Sequence, residues 1–475
     1  VTGVQTCALP ISLGADSLFI HTHGTSLPAI AVEWYSTKYS DVANNASKAY
    51  SVFAPSDVAM NNFFDNYWEK GGYESLDDVD DLAMKYMLNQ FIYKDGIAFP
   101  DEITSGKVKN MYDMVFNFDP SKVTDKSMCV NGVFYGLNTM DTPILFASVV
   151  GPAFRNKDCN YYLYMLDGTG LITAYSSQDT KYVLLVPTNE QIESEDIYLR
   201  TYADGSKLQQ ETEDGLVDVS SSVMRTIVNI HTATGVDGLK TNGTQVLATQ
   251  TGFNYWYVKD GKITSSAAYN QILEPDNNVE PFSEFTEVKN GNDNWNNGRT
   301  YMYSGTALFQ AQEGDGLQHK LSVCNDNRYV YYQFAQLLQK ADMVMSSNYI
   351  FGLAGASHVI GFIPTNEAIS TAIAAGQIPG MDATGAVTSS SKLRQYLLSY
   401  FIRDRENALI SYPYPGSAMK SSTYVTASGK SLTYTDSGSS LSIMVDGKVA
   451  NVISDYNFFP FAFDDGCFQL IDTVL

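Results

Sequence analysis

The feature that most narrows what this chain can fold into is one local pattern that occurs three times in order. An apolar run meets a proline, a serine or threonine follows, and a polar residue opens a helical stretch. It reads S-V-F-A-P-S-D-V-A-M at 51–60, Y-V-L-L-V-P-T-N-E-Q-I at 182–192 and H-V-I-G-F-I-P-T-N-E-A-I at 358–369. Proline cannot donate to a sheet ladder, so it ends the strand. The next hydroxyl can cap a helix, and Thr188 with Gln191 has the spacing of a capping box. Asp57, Glu190 and Glu367 fall in the first turn, where the helix dipole favours acids.

Two further patterns follow each proline motif. Apolar helical stretches at 84–93, 223–232 and 393–402 then run into β-type residues. N-G-V-F-Y-G-L-N from Asn131, N-G-R-T-Y-M-Y-S from Asn297 and D-G-C-F-Q-L-I-D from Asp465 carry the Asn-Gly or Asp-Gly signal of a hairpin. Amphipathic helices precede the second and third proline motifs. Tyr162, Met165 and Leu166 mark one, and Phe334, Leu337, Leu338 and Ala341 the other. Short alternating strands with a few helices, and no regular β-α-β-α alternation, predict an α+β fold.

Composition excludes several partners. With 30 basic against 52 acidic residues the net charge is −22, which argues against nucleic acid and against a polybasic membrane contact. The apolar run at 143–154 falls short of the ~20 residues of a spanning helix. That run is expected to pack, making a short, stiff link. Cys7, Cys129, Cys159, Cys324 and Cys467 form no C-x-x-C, so neither a zinc site nor a disulfide framework is indicated. Abundant Tyr, Gly, Asn, Ser and Thr point to an exported protein. Residues 1–12 resemble translated sequencing-adapter sequence, which leaves room for a signal peptide or lipid anchor on the N-terminus that they replace.

The three ordered motifs, in units of about 130–170 residues, resemble the fasciclin-like domain family. The third copy, ending G-C-F-Q-L-I-D-T-V-L, matches best. The resemblance implies tandem domains at 13–147, 148–317 and 318–475, each a β-sandwich-like wedge with packed helices. It implies a noncatalytic adhesion or surface-binding protein at the cell surface, outer membrane or periplasm, with a surface protein or glycan as ligand. The chain departs from the family at the central Tyr-His motif, where it has Gln90-Phe91, Ile230-His231 and Tyr400-Phe401. The middle unit is also stretched, with 111 residues from Pro187 to Gly298 against 77 from Pro55 to Gly132 and 102 from Pro364 to Gly466.

Catalytic chemistry finds no motif. G-x-S-x-G, H-E-x-x-H and G-x-x-x-x-G-K-S/T are absent, and Gly168-Thr169-Gly170 is half of a dinucleotide fingerprint in the wrong context. His21-Thr22-His23 has a spacing metals can use, but no metal or cofactor is expected. Residues 292–298, N-D-N-W-N-N-G, look like a calcium loop but lack its sixth-position Gly and twelfth-position Glu, so a polar hairpin turn is expected. The acidic run Asp77, Asp78, Asp80 and Asp81 reads as a solvated helix start. His231 reads as a structural histidine. The binding candidates are aromatics of the middle unit: Tyr255, Trp256 and Tyr257 on one strand, with Trp295, Tyr301 and Tyr303 about the closing motif. An exposed face of such rings could stack on a sugar or anchor a protein, giving glycan capture as the alternative function.

Overall fold

A computed structural model describes residues 50–475 apart from 94–97, 116–119, 130–131, 204, 278–279, 313–315, 357, 405–406, 408–411 and 418. The adapter-like segment, Cys7, the H-T-H at 21–23 and Asn131 therefore lie outside the described residues. Helices and sheets alternate irregularly along the chain, an α+β arrangement. The chain divides into two compact units. One takes the described residues up to 228 with 234–238 and 286–308; the other takes 229–233, 239–285 and 309–475.

In the first unit the strand Tyr50–Pro55 stops at its proline, and Ser56 accepts from Ala59 N at 3.3 Å to cap the helix Asp57–Asn66. The strand Tyr182–Leu185 leads in the same way to Thr188, which accepts from Gln191 N at 3.3 Å while Gln191 Oε1 accepts from Thr188 N at 2.9 Å. The capping box is thus formed, and Gln191 also donates through Nε2 to the carbonyls of Tyr303 and Gly305 at 3.1 and 2.9 Å. In the second unit the strand Val359–Pro364 is followed by Thr365, which accepts from Ala368 N at 3.3 Å.

Each of these opening strands pairs in parallel with the strand that begins at the closing glycine. Tyr50 faces Gly132, Tyr182 faces Gly298 and Val359 faces Gly466. The closing strands Gly132–Leu137, Gly298–Tyr303 and Gly466–Ile471 are also second arms of tight hairpins, with Cys129 opposite Gly132, Trp295 opposite Gly298 and Phe463 opposite Gly466. The Asn-Gly or Asp-Gly signal marks these hairpins, but the glycine does not sit in the loop. A type I′ turn puts Gly inside the loop, as at Asp446-Gly447, where φ is 50° and 81° and Val445 pairs Lys448. The closing glycines instead start their strands.

The reason is the parallel neighbour. A Cβ on Gly298 would lie 1.9 Å from Tyr182 O, and one on Gly466 would lie 2.0 Å from Val359 O. Their φ values of 150° and 153° are likewise glycine territory. In the second unit both strands of this pair, Val359–Pro364 and Gly466–Ile471, are buried throughout, as the centre of a sheet covered on both faces demands.

Helices cover these sheets. Residues 145–152 are packed, with Leu145, Phe146, Val149 and Val150 fully buried, while Thr142 is exposed. Tyr67 donates its hydroxyl to the carbonyls of Phe146 and Gly151 at 2.8 and 2.9 Å, and Trp68 Nε1 donates to Phe154 O at 3.1 Å. The amphipathic helices form as expected, Asn160–Thr169 burying Tyr162, Met165 and Leu166, and Tyr332–Lys340 burying Phe334, Leu337 and Leu338. Gly170, read as half a fingerprint, is the left-handed cap of the first of these, at φ 67°. The extra length of the middle segment includes a three-stranded meander, Ile197–Tyr202, Gly205–Thr212 and Gly215–Asp218, within the first unit.

Candidate functional site

The aromatic run Tyr255–Lys259 does form a strand, paired antiparallel with Thr244–Ala248 and Lys262–Ser265. Alternation sends Tyr255 and Tyr257 to one face and Trp256 to the other. Neither face is free. Trp256 is fully buried and donates from Nε1 to Ile230 O at 2.7 Å. Tyr257 is fully buried, stacks on Phe459 at 4.7 Å and donates to Pro460 O at 2.5 Å. Tyr255 is half-buried against Tyr412, with ring centroids 4.8 Å apart.

The closing hairpin of the middle segment is equally internal. Trp295 donates from Nε1 to Val288 O at 2.7 Å, and the Arg155 guanidinium lies 5.3 Å over its ring. Trp295, Tyr301 and Tyr303 keep only 3%, 3% and 5% of their surface. These six rings were binding candidates on the condition that a face of them lay exposed, and five of the six side chains are instead core. The physical reason is amphipathic: indole and phenol groups each bring a large apolar body, and their polar ends reach main-chain carbonyls that satisfy them inside. Sequence alternation separates the two faces of a strand but cannot tell that both are covered.

The sequence 292–298 turns as a hairpin, with Asn290 bridged to Asp293 and Trp295 to Gly298. Asn297 is a brace: its Oδ1 accepts from Val149 N at 2.9 Å and its Nδ2 donates to Tyr175 O and Ser177 O at 2.7 and 2.9 Å. Asp465, one place before the last closing glycine, accepts from Leu317 N and Gln318 N at 2.5 and 3.3 Å at the start of the helix Leu317–Ser322. Burial raises its carboxyl above the ordinary range in spite of those donors. In the acidic run, Asp80 caps the helix Asp81–Asn89 by accepting from Leu82 N at 2.9 Å, and Asp78 pairs with Lys157 at 2.7 Å.

The central segments are interior in all three copies. Gln90, Phe91, Ile230, His231, Tyr400 and Phe401 are all buried, and His231 stacks on Phe309 at 5.9 Å. Tyr400 shares a 2.5 Å hydrogen bond with the hydroxyl of Tyr396 and accepts from Leu475 N at 2.8 Å. Cys159, Cys324 and Cys467 are free and buried. Burial pushes the Cys159 thiol up to about 12 and the Cys324 thiol up to about 11, so neither is poised as a nucleophile. Among the described residues no three His, Cys, Asp or Glu side chains converge as metal ligands, and no helix is long and apolar enough to cross a membrane.

No family model matches the chain, and no curated protein matches it. Among solved structures, it is similar to a FAS1 domain pair from the insect cell adhesion molecule fasciclin I. The identity is 12%, the match covers 66% of this chain and 95% of that one, and the TM-score is 0.26.

Proposed function

We propose that the chain is a noncatalytic adhesion or surface-binding protein built from three fasciclin-like modules, 13–147, 148–317 and 318–475. What carries the reading is the recurrence of one construction: an opening strand ended by Pro and capped by Ser or Thr, paired in parallel with a strand whose first residue is glycine. Three such modules, each a β-sandwich-like wedge with packed helices, suit weak contacts that add up through multivalency. A surface protein is the partner that this reading names, in an extracytoplasmic setting with an N-terminal lipid anchor. The charge of −22 favours neutral or basic partners and makes their capture depend on salt.

The test is capture of intact cells by the full chain immobilised at graded densities. Cell retention rising more steeply than density, lost on unfolding the protein and weakened by salt, is the expected result. Retention no better than that of an equally acidic unrelated protein would refute the proposal.

A further inference from the structure

Asparagine followed by glycine can modify itself without an enzyme. The glycine nitrogen attacks the side-chain carbonyl carbon, and the missing Cβ leaves the approach open. Whether the reaction runs depends on how the fold holds the amide and the nitrogen. Both residues of the pair are described at 242–243, 290–291 and 297–298. At 297–298 both groups are held. Asn297 is 1% exposed, its amide is bonded to Val149 N and to the carbonyls of Tyr175 and Ser177, and Gly298 N donates to Trp295 O at 3.2 Å. At 290–291 the asparagine is half-buried and its main chain is tied to Asp293 by two bonds of 3.0 and 3.1 Å. Among the described residues no side chain accepts from Gly291 N.

Asn242 differs in each respect. It is exposed at a bend just before the strand Thr244–Ala248, and among the described residues no hydrogen bond holds its amide. Gly243 has a φ of 77°, and a Cβ built there would meet nothing within 4 Å, so no neighbour crowds its Cα. Its nitrogen donates to Asp260 Oδ1 at 2.8 Å, and Asp260 N donates back to Gly243 O at 3.0 Å. A local turn delivers that carboxylate: Asp260 and Gly261, at φ 48° and 80°, join the paired residues Lys259 and Lys262. An oxygen 2.8 Å from the nitrogen is within the reach that proton transfer needs. The N–H lies in the peptide plane, whereas attack uses the face of the nitrogen above that plane. The carboxylate and the Asn242 side chain therefore do not compete for one direction.

We propose that Asn242 is a self-modifying site, at which Asp260 takes the Gly243 proton as the Gly243 nitrogen closes on Asn242 Cγ. The new N–Cγ bond forms, the Cγ–Nδ2 bond breaks, and Nδ2 leaves as ammonia carrying the transferred proton. Water then opens the cyclic imide at either carbonyl, giving aspartate or isoaspartate at 242. Either product adds a negative charge close to Asp260, and isoaspartate also lengthens the main chain by a carbon at the entry to the strand Thr244–Ala248.

The test incubates the full folded chain at mildly alkaline pH and follows each Asn-Gly peptide by mass and by isoaspartate content. Asn242 should lose its amide faster than Asn290, and at least about tenfold faster than Asn297, whose cyclisation must first break three hydrogen bonds. Asp260→Asn suits the same turn and keeps an oxygen for Gly243 N but supplies no base. In that variant the Asn242 amide should last at least about threefold longer. Urea unfolding of the variant checks its fold. In the parent held unfolded in urea, Asn242 and Asn297 should react at similar rates. The proposal is overturned if Asn242 in the folded parent outlasts Asn290 or Asn297, or if folded Asp260→Asn loses the Asn242 amide as fast as the parent. A gap between Asn242 and Asn297 that persists in urea would trace the difference to local sequence and overturn it as well.

Discussion

Gly466→Ala tests the construction on which the module reading depends. The added Cβ would sit 2.0 Å from Val359 O and 2.9 Å from both Val359 C and Val359 N, all of them main-chain atoms. Val359 cannot simply yield. It pairs with Gly466 on one side and with Arg403 on the other, and its N–H donates to Asp465 O at 3.0 Å. Opening the contact to an ordinary 3.4 Å means parting two fully buried strands by about 1.4 Å. That displacement weakens one or two main-chain hydrogen bonds, at about 1 kcal/mol each, and disturbs the packed core by about 1–3 kcal/mol. An alanine held at a φ of 153° adds strain of about 1–3 kcal/mol. The expected cost is about 3–8 kcal/mol, a large part of the stability of any domain. Urea unfolding should show a midpoint lowered by more than about 1 M at a slope near 3 kcal/mol per molar. Hydrogen exchange should speed up in peptides that cover 359–364 and 466–471. Gly447→Ala is the control, because its φ of 81° is equally foreign to alanine while a Cβ there would meet nothing within 4 Å. That variant should lose only about 1–2 kcal/mol. Equal losses in the two variants would refute the close-approach argument and leave backbone preference as the whole effect.

Gly298→Ala should be as damaging as Gly466→Ala, since its Cβ would lie 1.9 Å from Tyr182 O; the same unfolding experiment checks it. Gln191→Glu should cost about 2–4 kcal/mol in urea unfolding, because it exchanges two donors to the Tyr303 and Gly305 carbonyls for a carboxylate facing them. His358, lodged between the rings of Phe253 and Tyr412, has its pKa lowered from 6.5 by burial, with Asp404 opposing. The folded state then prefers the neutral ring, so its contribution is constant above pH 6.5 and stability falls as pH drops below it. His358→Phe should flatten that part of the pH profile of the urea midpoint. In a Cys7→Ser, Cys129→Ser background, thiol reagents at mildly alkaline pH should label the native protein slowly and the unfolded protein fully, because Cys159, Cys324 and Cys467 are buried with raised pKa values.

Much of the local construction was legible in the chain. Proline ends a strand and a following hydroxyl caps a helix through forces that act within a few residues, so Ser56, Thr188 and Thr365 could be assigned without a structure. Periodicity likewise found the buried faces of Asn160–Thr169 and Tyr332–Lys340. The aromatic candidates misled, since Tyr255-Trp256-Tyr257 is compatible with one covered face or two. The Asn-Gly pairs at 242–243 and 297–298 look alike in the sequence. What separates them is Asp260 beside the one and Val149, Tyr175 and Ser177 around the other.

The sequence by itself determined the order of elements, their ends and the threefold repetition, because those follow from proline geometry, capping and hydrophobic period over short spans. Only the tertiary structure decided that opening and closing strands lie side by side in parallel, which no local signal encodes. That pairing brings main chain against main chain across about 80 to 120 residues of sequence, and it is why the closing position must be glycine. It also decided which aromatic rings are covered and which Asn-Gly amide is held, since both depend on what arrives from distant parts of the chain.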